Sequence, residues 1–128
     1  MITEAYRLAQ GLIPAVDRMP RGLRSIAGTE LVREVVGLCA CLHEAALHAG
    51  KLEALRRADV HLTRTRVLAR MAFDQKALAL AAYEATMERA ERAGKMIGGW
   101  IRSARGPHGA AAQDAPAPET GGGGEARS

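Results

Sequence analysis

Apolar residues recur at steps of three and four through four stretches of the chain, with charged residues filling the intervals. That spacing predicts four amphipathic helices. The first runs from Thr3, a plausible N-cap, to Arg18, and Pro20 ends it by disfavouring helix in Met19. Pro14 lies inside this segment and should kink it or leave a carbonyl unpaired. The second runs from Ile26 to His48, with Ser25 as N-cap and Ala49-Gly50 as the stop. The third covers Lys51 to Gln75 and the fourth Leu80 to Ala104.

The last two helices carry more apolar surface than a helix at the edge of a monomeric bundle needs. On the fourth, Leu80, Tyr83, Met87, Ala90, Gly94, Ile97 and Ile101 form one seam. Ala79, Ala82, Thr86, Ala93, Met96 and Trp100 form a second on another face. On the third, taking about 100° per residue, Leu55, Ala58, Leu62, Thr65 and Ala69 gather on one side. Val60, Val67 and Met71 gather nearly opposite. Two stripes per helix imply a central position or a partner chain, so the expected architecture is an all-α, antiparallel up-down four-helix bundle that forms an oligomer.

Charge changes the picture of the third helix. Arg56–Ala72 holds five arginines and His61 against one acid, Asp59. Arg57, His61 and Arg64 make one ridge between the stripes; Asp59, Arg66 and Arg70 make another. Residues 1–105 carry 17 Lys/Arg and 11 Asp/Glu, a balance of +6, whereas 106–128 carry one Arg and three acids. A basic domain points to a polyanion or an acidic partner, or to solubility alone. Charge ridges on helices are most often solvated surface, and Arg66 and Arg70 could simply pair with Asp59 and nearby acids.

Glycine is the other anomaly. Gly94, Gly98 and Gly99 sit inside the fourth helix, each costing roughly 1 kcal/mol of helix propensity relative to alanine. Their retention implies close approach of another backbone. Val60, Val67, Met71, Gly94, Gly98, Gly99 and Trp100 are therefore the expected packing and assembly residues.

Candidate chemistry is sparse. Cys39 and Cys41, the only cysteines, point about 160° apart on a helix and should not pair. They read as small core thiols in a reducing compartment. His43, Glu44 and His48 lack the Glu-x-x-His pattern of a di-iron bundle, so neither metal nor cofactor is expected. "GKMIGGW" lacks the Gly-Lys-Ser/Thr of a phosphate-binding loop. No nucleophile elbow or catalytic carboxylate pair is visible. With no basic leader followed by an apolar run, and no membrane-spanning stretch, it is expected to be cytoplasmic. The domain should occupy 1–105, followed by a disordered Gly/Pro/Ala-rich tail over 106–128.

The stretch from Lys51 to Ile101 resembles the second half of the accessory variability protein (Avd) family of diversity-generating retroelements. The likeness rests on Arg66, Arg70, Met71 and Ala72, then Tyr83 and Glu84, then Gly94, Met96, Ile97, Gly98, Gly99 and Trp100. In the first half, Pro14, Pro20, Arg21, Arg24, Ser25 and Gly28 are similar to the family's helix-internal proline, Pro-Arg turn and entry to the second helix. The likeness covers residues 3–103. Ala79 departs from it, standing where the family has a Ser-like cap, and the start of the fourth helix should fray.

The resemblance implies a four-helix bundle assembling into a barrel-like homopentamer with a basic surface, and a protein that is not itself an enzyme. It implies binding to a reverse transcriptase and to template-repeat RNA, with DNA as a further candidate, in support of mutagenic cDNA synthesis. The residues expected to carry this are Arg56, Arg57, His61, Arg64, Arg66 and Arg70. The competing expectations are a plain four-helix scaffold of the ribosomal RNA intervening-sequence type and a small metal- or ligand-binding bundle enzyme.

Overall fold

The computed structural model describes residues 2–47 and 51–114. The first helix, α1, spans Ile2–Asp17 and buries Ala5, Leu8, Leu12, Ala15 and Val16. Thr3 lies within its first turn rather than capping it. The helix continues through Pro14, which is exposed. The carbonyl of Gln10 that Pro14 cannot pair therefore sits on the wet side, where water can satisfy it.

The second helical segment begins earlier than its pattern implies. Pro20, at φ −54° and ψ 144°, turns the chain directly into a short helix α2, Arg21–Leu23. A π-helical turn follows at Arg24–Gly28, and then α3, Thr29–Leu47. Ser25 is consequently not an N-cap: its hydroxyl donates to the Gly22 carbonyl at 3.0 Å from inside the turn. The π-turn places Gly28 against the end of α1. A Cβ there would lie 2.7 Å from Val16 Cγ1 and 3.5 Å from the Met19 sulfur. Arg24 ties the same corner down by donating to the Asp17 carbonyl at 3.1 Å.

Helix α4 spans Lys51–Asp74 and α5 spans Leu80–Asp114. The fourth long helix thus continues through Gly106 and Pro107, beyond the expected stop at Ala104. The proposed helix stop at Ala49-Gly50 and the tail from 115 onward lie outside the described residues. Between α4 and α5 the chain turns by a Schellman motif. Lys76 adopts φ 63°. The Ala77 N–H donates to the Ala72 carbonyl at 2.8 Å and the Lys76 N–H to the Phe73 carbonyl at 2.9 Å. Ala72 and Ala77, the pair that this motif brings into apolar contact, are both buried.

Short connections make sequential helices antiparallel. Helix α3 packs on α4, α4 on α5, α5 on α1 and α1 on α3, closing a four-helix ring. No strand occurs among the described residues. Leu8, Leu12, Leu31, Leu38, Leu42, Leu55, Leu62 and Ile97 are the largest fully buried side chains. Burial of each contributes about 1.5–3 kcal/mol. The all-helical bundle is as the apolar periodicity implies, and none of the helices is long and apolar enough to cross a membrane.

Candidate functional site

The core stripe of α4 is the one the pattern picks out: Leu55, Ala58, Leu62, Thr65 and Ala69 are all buried. Thr65 is fully buried, and its hydroxyl donates to the His61 carbonyl at 2.9 Å. The opposite stripe faces solvent in this chain: Val60 and Val67 are 53% exposed and Met71 56%.

The two basic ridges turn out to differ in kind. The first lies along the seam with α3 and meets acids there. Arg57 Nη2 donates to Glu44 Oε2 at 2.5 Å, and its Nη1 points at the Cys41 sulfur at 3.7 Å. Hydrogen bonding to Glu44 raises the pKa of Arg57 further above its already high value. His61 Nδ1 lies 2.8 Å from Glu34 Oε1, and Arg64 Nη1 3.9 Å from Glu34 Oε2. Glu34 is only 8% exposed, which a carboxylate tolerates because the His61 ring and the Arg64 guanidinium face it. The His61 ring can settle there because Gly37 lies beneath it: a Cβ at 37 would be 2.7 Å from His61 Cε1.

The second ridge lies along the seam with α5. Arg70 does not pair with Asp59; its Nε donates to both oxygens of Asp74, at 3.1 and 3.2 Å. Hydrogen bonding to Tyr83, then to Asp74, raises its pKa. Tyr83 is itself stacked on Phe73, with ring centroids 4.6 Å apart and planes at 14°. Arg66 does not pair with Asp59 either. It reaches across to α5 and donates from Nη2 to the Ala90 carbonyl at 3.0 Å. Arg56, at the start of the basic stretch, is exposed and makes no ion pair among the described residues.

The glycines of α5 have a different use from the one expected. No backbone presses on them within the chain. A Cβ at Gly94 would stand 2.9 Å from Arg66 Nη2, so Gly94 is a notch that admits the guanidinium. Gly98 and Gly99 are open apart from Arg102, whose nitrogens lie 3.7 and 3.6 Å from where their Cβ atoms would be. The same device recurs at Gly11, where a Cβ would collide with the guanidinium of Arg89. Trp100 is half-buried, with Lys51 Nζ 5.6 Å from its ring centroid.

Two hollows result that the linear pattern does not reveal. One, of about 360 Å³, runs between α4 and α5 and is lined by Asp59, Arg66, Glu91, Gly94, Lys95, Gly98 and Arg102. The other, of about 350 Å³, lies where α1 meets α3, beside Tyr6 and His43, whose rings are 6.1 Å apart. A helix-by-helix reading finds the arginines but not the concavity, because the concavity comes from glycines on the neighbouring helix. No group of three or more His, Cys, Asp or Glu residues is placed to hold a metal among the described residues. The His43–Glu44–His48 set includes His48, which lies outside them. Burial pushes the Cys39 thiol above its ordinary pKa, and does the same to Cys41 against the opposing pull of Arg57.

The fold and these surfaces define an all-helical four-helix bundle with a wet apolar line and basic seams on one helix. Compared with known proteins, the chain matches no family model, no curated protein and no solved structure.

Proposed function

We propose that the chain is a non-enzymatic accessory subunit of a diversity-generating retroelement, binding the reverse transcriptase and template RNA. The observation that carries this reading is the exterior of α4. An exposed apolar line of Val60, Val67 and Met71 lies between two rows of basic side chains. The apolar line is the surface for a second copy of the chain, and repeated copies would multiply the basic rows into a polyanion-binding face. Five copies is the number given by the family likeness, and the same likeness supplies the identity of the partners and the cytoplasmic setting. The supporting chemistry is general: phosphate contacts by arginine and lysine release counterions, so affinity grows with each added row.

A second reading is kept because one observation favours it. Arg57, Arg64 and Arg70 all face carboxylates of their own chain. A scaffold with no retroelement role would use its arginines in this way. Fluorescence anisotropy with labelled template-repeat RNA, together with co-purification of the reverse transcriptase, separates the two. Binding that falls steeply with salt, and a stable complex with the polymerase, are the expected results. A folded, assembled protein that ignores both partners at low salt would leave the scaffold reading in place. Sedimentation tests the assembly independently: Val67→Glu with Met71→Glu should leave a helical but smaller species.

A further inference from the structure

The basic groove between α4 and α5 has a composition that the proposed function does not require. Its lining contains three cations, Arg66, Lys95 and Arg102, and two carboxylates, Asp59 and Glu91, for a formal balance of +1. Two of the cations face no carboxylate among the described residues. Arg66 uses one donor on the Ala90 carbonyl and is held over Gly94, leaving its remaining N–H groups free. Arg102 lies over Gly98 and Gly99. Lys95 is engaged only by an exposed pair with Glu91 at 3.6 Å, a kind of contact that is weak and easily exchanged.

The first ridge is more fully engaged: Arg57 donates to Glu44, and the nearly buried Glu34 is shared by His61 at 2.8 Å and Arg64 at 3.9 Å. We infer that the α4–α5 groove, rather than the α3-facing ridge, is the phosphate-binding site of this protein, taking a singly charged phosphodiester of single-stranded RNA. The inference rests on the nucleic-acid reading above and specifies where on the molecule it acts. A phosphodiester carries one negative charge, which the balance of the lining neutralises. A phosphate monoester carries close to two at neutral pH, which would leave Asp59 and Glu91 opposing it. The groove volume of about 360 Å³ falls at the small end of ligand pockets, about 300–1,000 Å³. The glycine floor keeps it shallow and open, so that a chain can pass along it. Because the Ala90 carbonyl holds the Arg66 guanidinium over Gly94 before binding, less side-chain freedom is lost when the anion arrives.

The glycine notch provides a test that leaves net charge alone. Gly94→Ala puts a methyl group 2.9 Å from Arg66 Nη2 and 3.4 Å from Leu62 Cδ2, so that the guanidinium, the far end of a flexible side chain, has to move. The helix should form at least as well, since alanine is the better helix former. The probe is a labelled single-stranded RNA oligonucleotide, bound to the full chain and followed by anisotropy across a salt series. Gly94→Ala should weaken binding several-fold at unchanged melting temperature. Arg66→Gln with Arg102→Gln should weaken it at least tenfold and lower the log–log salt slope by roughly 0.7 for each lost contact. Arg57→Gln with Arg64→Gln should cost less than either. Asp59→Asn, which removes an opposing charge, should tighten binding.

Competition identifies the kind of phosphate. Sodium phosphate should displace the RNA no better than sodium chloride of equal ionic strength. Stronger displacement by phosphate would overturn the phosphodiester assignment. If the Arg66/Arg102 variant binds like wild type while the Arg57/Arg64 variant does not, the groove is wrong and the nucleic-acid reading stands. If the wild type binds no RNA at low salt, both fall.

Discussion

Replacing Lys76 by glycine should stabilise the bundle, although lysine makes no ion pair there among the described residues. Lys76 occupies the left-handed position of the Schellman turn, at φ 63°. There its Cβ crowds the following carbonyl, a cost of roughly 1–2 kcal/mol for a residue with a side chain. Glycine avoids that cost but gives up more freedom on folding, about 0.5–1 kcal/mol. The hydrogen bonds of the turn come from backbone groups of residues 72, 73, 76 and 77, so the substitution leaves them intact. The net gain should be about 0.5–1 kcal/mol, or roughly 2–6 °C in melting temperature for a domain of this size. Circular dichroism at 222 nm, at one fixed protein concentration because assembly also shifts the transition, gives the number. Lys76→Ala is the control: it keeps the Cβ and should stay close to wild type. A lower melting temperature for Lys76→Gly, or equal gains from glycine and alanine, would refute the argument from backbone conformation.

Other consequences follow from the same packing. Leu62→Ala removes a side chain that is 1% exposed at the centre of α4 and should cost about 2–5 kcal/mol by urea denaturation. Gly98→Leu meets open space rather than a neighbouring backbone, so its thermal stability should match or exceed that of wild type while RNA affinity drops as the groove fills. Alanine at position 79 offers no side-chain cap to α5; Ala79→Ser should add about 0.5–2 kcal/mol, measured by thermal unfolding. Burial raises both thiol pKa values, which keeps the thiolate scarce near neutral pH. Iodoacetamide should therefore modify Cys39 and Cys41 slowly in the folded protein, with the rate climbing only at alkaline pH, and rapidly once urea unfolds it.

The core was legible in the sequence because one strong signal, apolar spacing, decides it. Leu55, Ala58, Leu62, Thr65 and Ala69 are the buried stripe of α4 for the reason their spacing gives. Val60, Val67 and Met71 separate from them by the same reasoning. The second helix was misplaced at its start because two signals competed there. Ser25 has the chemistry of an N-cap, but Pro20 fixes φ earlier and the helix starts at once. The α5 glycines were misread for a related reason. Sequence shows that a helix tolerates Gly94 but not what occupies the space, and the occupant, Arg66, lies 28 positions earlier.

That distance also explains why counting arginines on α4 gives the wrong weight to each. Along one helix, Arg57, Arg64, Arg66 and Arg70 are alike. Across the bundle they are not, since three meet carboxylates and one meets a carbonyl above a glycine. An arginine beside an acid has part of its charge offset by that acid, whereas Arg66 meets only a neutral carbonyl and brings its full charge to a phosphate. On the proposed RNA-binding reading, affinity would depend less on how many cations α4 carries than on what α3 and α5 place opposite them. The acids at 34, 44 and 74 narrow a broad basic helix to its α5-facing seam. Glu34→Gln, which removes the shared acid beneath His61 and Arg64, would release part of the other ridge. Gained RNA affinity in that variant, with the helical signal retained, is the result this view requires; unchanged affinity would mean that the α3-facing arginines were never held back by their partners.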